Sequence, residues 1–232
     1  MTQSHTPTGQ GKTIPLPAYL KLQRYCFAVC IALAPLSVII YGVSWARSSN
    51  PTSIATVGAS ANLLHFVAGF AASFFLPLGY LGMALLGMRR SPWLATFSAG
   101  LALVGWIPWP ALMGIDDLSL QIVQVGNTPQ LTALWERFNA DLLMSAYLYT
   151  YILGHLLSAV LLGTMLGRTR LVPLWAAWAL ALSSPITILA FPTKNPILGI
   201  LLLVLLTVGM LPAAYAMLKF SRNEGEQAMP TT

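Results

Sequence analysis

The chain of 232 residues is 56% hydrophobic, only 8% charged, and carries a net charge of +6. This composition leaves little material for the surface of a soluble domain and indicates an integral membrane protein. A basic balance would suggest a nucleic-acid partner in a soluble protein. Here the basic residues flank long apolar runs, so we exclude nucleic acid as a partner.

The chain begins with a polar segment, and residues 1–24 predict a disordered cytoplasmic tail. Six apolar stretches follow, and each is close to the roughly 20 residues that cross the hydrocarbon core of a bilayer. They are 25–46, 60–87, 92–114, 142–166, 171–191 and 196–219. We therefore expect an all-α fold, a polytopic membrane helix bundle with six transmembrane helices over residues 25–220. Residues 221–232 predict a second disordered cytoplasmic tail.

Basic residues are distributed unevenly between the two sides of these spans. Nine belong to one side: Lys12, Lys21, Arg24, Arg89, Arg90, Arg168, Arg170, Lys219 and Arg222. Three belong to the other: Arg47, Arg137 and Lys194. Because short loops rich in Lys and Arg stay in the cytoplasm, both termini are predicted to be cytoplasmic. We expect a multi-pass protein of the bacterial inner membrane.

A weak internal repeat relates residues 76–101 to residues 157–182, at an offset of 81 positions. Its most informative pairs are Gly82 with Gly163, Arg89 with Arg170, and Pro92 with Pro173. The repeat predicts a duplicated helical hairpin, in which the second and third spans correspond to the fourth and fifth. Parallel duplications of this kind occur in transporters, and also in membrane proteins that transport nothing.

The one long loop, 115–141, is predicted to lie outside the membrane. Leu131, Leu134, Trp135 and Phe138 recur at helical spacing after Thr128-Pro129, which predicts an amphipathic helix lying on the outer interface. The loop carries four acidic residues and one basic residue, a net charge of −3. Such a loop can attract a cation, but we favour a solvated cap on the bundle.

The fourth span carries the most distinctive polar pattern of the chain. Tyr147, Tyr151, His155 and Ser158 recur at i, i+4, i+8 and i+11, so they share one helical face. Ionisable side chains inside a membrane are costly and therefore mark candidate functional sites. This polar stripe predicts a ligand-binding cavity. The alternative is a neutral His155 satisfied by a neighbouring carbonyl or hydroxyl, with the tyrosines in the outer aromatic belt.

His65, with Asn62 one turn earlier, is the second candidate for ligand binding. Two histidines on facing helices can hold a b-type haem. By the repeat, however, the position level with His65 is Ala146, which places His65 about 13 Å above His155 at 1.5 Å per residue. We therefore expect no cofactor, and haem b stays an alternative only. The spacings of His, Cys, Asp and Glu predict neither a metal site nor a catalytic set.

The stretch from Gly154-His155 to Pro173-Leu174-Trp175 resembles a pattern in bacterial six-helix membrane proteins of unknown function. In that family a Gly-His helix ends in a basic turn and a Pro-x-Trp sequence starts the next helix. The resemblance covers residues 154–177 and implies the six-helix architecture without an activity. Members often carry a second His where this chain has Pro185-Ile186-Thr187. This difference weakens the case for a metal or haem site inferred from the resemblance.

Three functions remain open from the sequence. The first is a non-catalytic bundle that binds a lipid or small apolar molecule, or serves as a subunit of a larger membrane complex. The second is a small transporter or channel that uses the polar stripe of the fourth span. The third is a membrane enzyme or b-type haem protein that uses His155.

Overall fold

The computed structural model of the chain describes residues 18–46, 63–126, 128–193 and 195–227. These ranges fold into helices and contain no strand, which confirms the predicted all-α class. The helices are α1 (Ala18–Ala46), α2 (Leu63–Gly87), α3 (Pro92–Trp106), α4 (Trp109–Val125), α5 (Pro129–Asn139), α6 (Leu142–Thr169), α7 (Leu174–Thr193) and α8 (Pro196–Gln227).

Five helical segments in these ranges are long and apolar enough to cross a membrane. They are Ala18–Val43, Leu63–Gly87, Pro92–Val125, Leu142–Thr169 and Pro196–Lys219. The predicted fifth span, 171–191, corresponds to a shorter apolar helix over Leu174–Ala190. The backbone of α7 nevertheless continues for 20 residues, about 30 Å at 1.5 Å per residue, which matches the thickness of the hydrocarbon core.

Six of the eight helices in the described residues close into a ring. Going round it, α1 packs on α2, α2 on α3, α3 on α6, α6 on α7, α7 on α8, and α8 returns to α1. The first and last helices are therefore neighbours. The ring surrounds a buried core rich in Ala, Leu and Met, as expected where small residues let helices approach closely in a membrane.

The turn between α2 and α3 and the turn after α6, which both carry arginines, lie at the same end of the helix bundle. Arg90, in the turn between α2 and α3, donates a hydrogen bond from Nη1 to the carbonyl oxygen of Thr169 at 2.7 Å. Thr169 ends α6, and Arg170 follows it in the left-handed conformation with φ of 52°. The chain order thus brings the basic residues of both turns together, as the predicted topology requires.

Several predicted boundaries differ from the structure. Helix α1 begins at Ala18, inside the predicted tail 1–24, because Tyr19, Leu20 and Leu22 continue its apolar pattern. Helix α4 occupies 109–125, so the first part of the predicted loop 115–141 is helical. The backbone of α8 continues to Gln227, inside the predicted tail 221–232.

The predicted amphipathic helix is present as α5, Pro129–Asn139. The amide of Leu131 donates to Oγ1 of Thr128 at 3.4 Å, so Thr128 is the N-cap. None of the residues of α5 is buried in the bundle. Its position on the outer interface stays a prediction.

The two glycines that anchor the sequence repeat contact different neighbours. A Cβ atom at Gly82 would lie 3.0 Å from Cβ of Phe27, on the preceding helix α1. A Cβ atom at Gly163 would lie 2.6 Å from the carbonyl oxygen of Ala177, on the following helix α7. The similarity between the two hairpins therefore does not extend to how these glycines pack.

Candidate functional site

The apolar segment Pro92–Val125 is interrupted at Ile107–Pro108, where α3 ends and α4 begins. We call this interruption the proline break. Proline has no N–H, so Pro108 and Pro110 cannot donate the helical hydrogen bonds to the carbonyls four residues earlier. One of these carbonyls belongs to Trp106. Inside a membrane such freed polar groups need partners from neighbouring helices, hydroxyls or water.

The proline break lies against a set of aromatic rings, which we call the aromatic cluster. Its members are Tyr41, His65, Tyr80, Trp106, Trp109, Tyr151 and His155. The two tryptophans flank the break, and their ring centroids are 5.9 Å apart. The aromatic side chains come from α1, α2, α3, α4 and α6, so the cluster connects five helices of the bundle.

His155 is buried in this cluster, with 7% of its surface exposed. Its ring stacks on Tyr151 at 4.3 Å between centroids, and Nδ1 hydrogen-bonds the carbonyl oxygen of Tyr151. A carbonyl only accepts, so Nδ1 carries a proton, and Nε2 of the neutral ring is an acceptor. Among the described residues Nε2 has no hydrogen-bond partner. The acceptor of His155 is therefore unpaired in this part of the chain.

Within the described ranges Trp106 has an unpaired hydrogen-bond donor, the counterpart of the unpaired acceptor of His155. Its side chain is 6% exposed, and its indole N–H is buried without a hydrogen-bond partner in the described part of the chain. Trp109, across the break, donates its indole N–H to the carbonyl oxygen of Gly69 at 3.0 Å. Buried polar groups are nearly always paired, so the unpaired donor of Trp106 needs an explanation.

A close approach of two helices brings Trp106 to His155. A Cβ atom at Gly154 of α6 would lie 2.7 Å from the amide nitrogen of Gly105 on α3. Only glycine permits this separation, because any Cβ would overlap the facing backbone. Trp106 and His155 follow these glycines directly, and their ring centroids are 5.1 Å apart.

Three interacting polar side chains lie at one end of the aromatic cluster. Nε2 of His65, which is 1% exposed, lies 3.4 Å from Oδ2 of Asp116 on α4, whose side chain is 14% exposed. Tyr41 stacks on His65 at 4.3 Å between centroids and also hydrogen-bonds Asp116. We call these three residues the His65–Asp116–Tyr41 group. It ties α1, α2 and α4 together.

The residues predicted from the sequence are only partly brought together. Tyr151 and His155 lie in the aromatic cluster, and His65 joins it through Tyr41. Ser158 donates to the carbonyl oxygen of Ser98 at 2.8 Å, which is a contact between α6 and α3. Tyr147 is 38% exposed and has no ring contact with the cluster. Asn62 lies outside the described residues.

The sequence reasoning missed Trp106, Trp109, Asp116, Tyr41 and Tyr80. The two tryptophans could have been found from the motif Trp106-Ile107-Pro108-Trp109-Pro110. Two prolines inside one apolar span indicate a helix kink, and the two tryptophans beside it carry N–H donors. Asp116 was placed in a solvated loop because the helix was expected to end at 114. No local signal pointed to its contact with His65.

The two histidines do not contact each other. Tyr41, Trp109 and Tyr151 connect them in series through ring contacts of 4.3, 5.1, 5.2 and 4.3 Å. The haem alternative needs both imidazoles on opposite faces of one iron, and the cluster arranges them differently. In the described residues no group of three or more His, Cys, Asp or Glu side chains could hold a metal ion.

No protein-family model, curated protein or solved structure matches this chain. The function proposed below therefore depends on the chemistry of the aromatic cluster.

Proposed function

We propose that this chain is a multi-pass membrane protein that binds a lipid or small apolar molecule at the proline break, without changing it chemically. Five membrane-length apolar helices and a closed helical ring are the framework for this site. Discontinuous helices in membrane proteins commonly build ligand sites, because irregular backbone at membrane depth is tolerated where it lines a cavity.

The single observation that carries the proposal is the unpaired indole N–H of Trp106. Leaving a buried donor without an acceptor costs about 1–3 kcal/mol. A ligand atom that accepts this hydrogen bond would recover part of that cost. The surrounding rings of Tyr80, Tyr151 and Trp109 offer apolar and aromatic surface to the remainder of such a ligand.

Binding is favoured over catalysis by the arrangement around His155. Its only hydrogen bond in the described residues is to a backbone carbonyl of its own helix. A general base in nucleophilic catalysis needs a hydroxyl, thiol or carboxylate within hydrogen-bond reach. The site therefore has the means to hold a polar group and lacks an activated nucleophile among the described side chains.

The proposed location is the bacterial inner membrane, with both termini in the cytoplasm. Nine of the twelve basic residues belong to one side, and the bond between Arg90 and Thr169 supports the common position of two basic turns. The lipid bilayer is the first partner of such a protein. Association with other membrane subunits stays a prediction from the sequence.

A second candidate function is transport, and the His65–Asp116–Tyr41 group favours it. The six predicted spans contain no Asp or Glu, because Asp116 falls in the predicted loop 115–141, and this is an objection to proton-coupled transport. Asp116 lies in the apolar segment Pro92–Val125 and contacts a fully buried histidine. Proton relays in transporters use such Asp and His pairs, so the corrected position of Asp116 removes that objection.

Analysis of co-purified molecules tests the binding function. The full-length protein is purified from membranes in mild detergent, and bound small molecules are extracted and identified by mass spectrometry. Three proteins are compared: wild type, Trp106→Phe and Trp93→Phe. Trp93 is a matched control because it lies on α3 and is 75% exposed.

We expect wild type and Trp93→Phe to retain the same molecule in near-equal amount, and Trp106→Phe to lose most of it. Identical extracts from all three proteins, after correction for bulk lipid, would contradict binding at the proline break.

A further inference from the structure

We propose that the ligand carries a hydroxyl group on an apolar body, and that this hydroxyl bridges Nε1 of Trp106 and Nε2 of His155. The inference rests on the proposed binding function and specifies the chemistry of the ligand. It follows from two nitrogen atoms, one donor and one acceptor, that lie on adjacent buried rings and do not bond to each other.

The hydrogen-bonding inventory selects the hydroxyl. A carbonyl or ether oxygen accepts from Trp106 and has nothing to donate to His155. An ammonium donates to His155 and cannot accept from Trp106, and it also carries a charge that is costly inside a membrane. A hydroxyl accepts and donates at once, so an alcohol or phenol satisfies both nitrogen atoms.

The spacing of the rings fits one bridging atom. The centroids of Trp106 and His155 are 5.1 Å apart, and their planes are tilted by 42°. A hydroxyl oxygen that hydrogen-bonds two nitrogen atoms at its roughly tetrahedral angle holds them about 5 Å apart. The separation of the two ring centroids is of the same size, which is compatible with one bridging hydroxyl.

The apolar body of the ligand follows from the neighbours of the two nitrogen atoms. Tyr80 packs edge-on to Trp106 at 5.9 Å, and Tyr151 does so at 5.5 Å. Both tyrosine rings thus pack against Trp106, and flat apolar groups pack well against aromatic rings. A hydroxylated aromatic ring with an alkyl chain is accordingly a suitable probe.

Three probes that share the nonylphenyl body and differ in one substituent test the inference. Nonylphenol donates and accepts, nonylanisole accepts only, and nonylbenzene does neither. Each is added at the same ratio to the detergent-solubilised full-length protein, and the thermal unfolding midpoint is measured against probe concentration. Wild type, Trp106→Phe, His155→Phe and the control Trp93→Phe are compared, so partitioning into micelles is the same for every protein.

We expect nonylphenol to stabilise wild type more than nonylanisole does, and nonylanisole more than nonylbenzene. The apparent affinity for nonylphenol should fall roughly 3- to 10-fold in Trp106→Phe and in His155→Phe, as for the loss of one hydrogen bond. Trp93→Phe should match wild type. The comparison of probes on wild type alone stays informative if either cluster variant fails to fold.

Two results would overturn the inference in distinguishable ways. In the first, nonylphenol and nonylbenzene stabilise wild type equally, and both stabilise Trp106→Phe less. The site would then bind apolar molecules without hydrogen-bonding a hydroxyl group. That outcome removes the bridging hydroxyl and leaves the binding function intact. Stabilisation that is absent, or the same in wild type and Trp106→Phe for all three probes, would remove both.

Discussion

The carboxylate of Asp116 on α4 lies 3.4 Å from Nε2 of His65 at the start of α2. Tyr41 of α1 stacks on the same imidazole and hydrogen-bonds the same carboxylate. Three helices that are distant in sequence are thus joined by polar contacts at one end of the aromatic cluster. Because His65 is almost fully buried, removing this contact takes away a polar interaction inside the bundle.

Replacing Asp116 by Asn should destabilise the protein by about 1–2 kcal/mol, because the charge-assisted contact with His65 is lost while the side-chain shape is kept. Asp117→Asn is the matched control, since Asp117 is exposed and, within the described ranges, accepts a hydrogen bond from Gln121 of its own helix at 3.5 Å. Urea or thermal unfolding in detergent measures both. Equal stability of the two variants would contradict a structural role for the contact.

The close approach of α3 and α6 predicts opposite effects for two glycines on one helix. A Cβ atom at Gly105 would overlap the backbone of Gly154 and His155, which cannot rotate away. Gly105→Ala should therefore destabilise by about 1–3 kcal/mol. Gly100 has open space around its Cβ position, so Gly100→Ala should be neutral or stabilise by up to about 1 kcal/mol. Unfolding midpoints that rank the variants in the reverse order would refute the contact.

His155→Phe should fold, because the one hydrogen bond of the imidazole among the described residues is to a carbonyl of its own helix. The expected loss of stability is about 0.5–1.5 kcal/mol. At the repeat offset of 81 positions His155 corresponds to Phe74. Phe74 is 52% exposed and His155 is 7% exposed, so the prediction rests on the contacts of His155 and not on the repeat.

The readout for His155→Phe is the amount of bound small molecule together with the unfolding midpoint. Tyr147→Phe is the control, because Tyr147 lies on the same helix outside the cluster and should change neither quantity. Full retention of the ligand by His155→Phe would exclude the imidazole from the site.

The topology predicts which loops react with an impermeant thiol reagent. Cys26 and Cys30 are first replaced by Ser, and single cysteines are then placed at Ser91 and Thr128. With both termini in the cytoplasm, intact cells should be labelled at position 128 and not at 91. Lysed cells should be labelled at both, which controls for accessibility. Labelling of position 91 in intact cells, without labelling at 128, would invert the orientation.

The helices were largely predictable because long apolar runs leave a membrane chain few alternatives to helix. The contact between Tyr151 and His155 was predictable too, since i and i+4 positions meet on one face. The contacts of Trp106 with His155 and of Asp116 with His65 join different helices. Such contacts depend on which helices become neighbours in the ring and on where α4 ends, and neither is encoded in local spacing.

The indole proton of Trp106 is the most direct test of the account. The full-length protein in micelles, with ¹⁵N-labelled tryptophan, gives one indole N–H signal for each of its seven tryptophans, and Trp106→Phe and Trp93→Phe assign two of them by loss. We expect the Trp106 signal to exchange slowly with water and to shift downfield when nonylphenol is added, while the Trp93 signal stays in place. A Trp106 signal that exchanges as fast as that of Trp93 and does not move with nonylphenol would contradict a ligand site at the proline break.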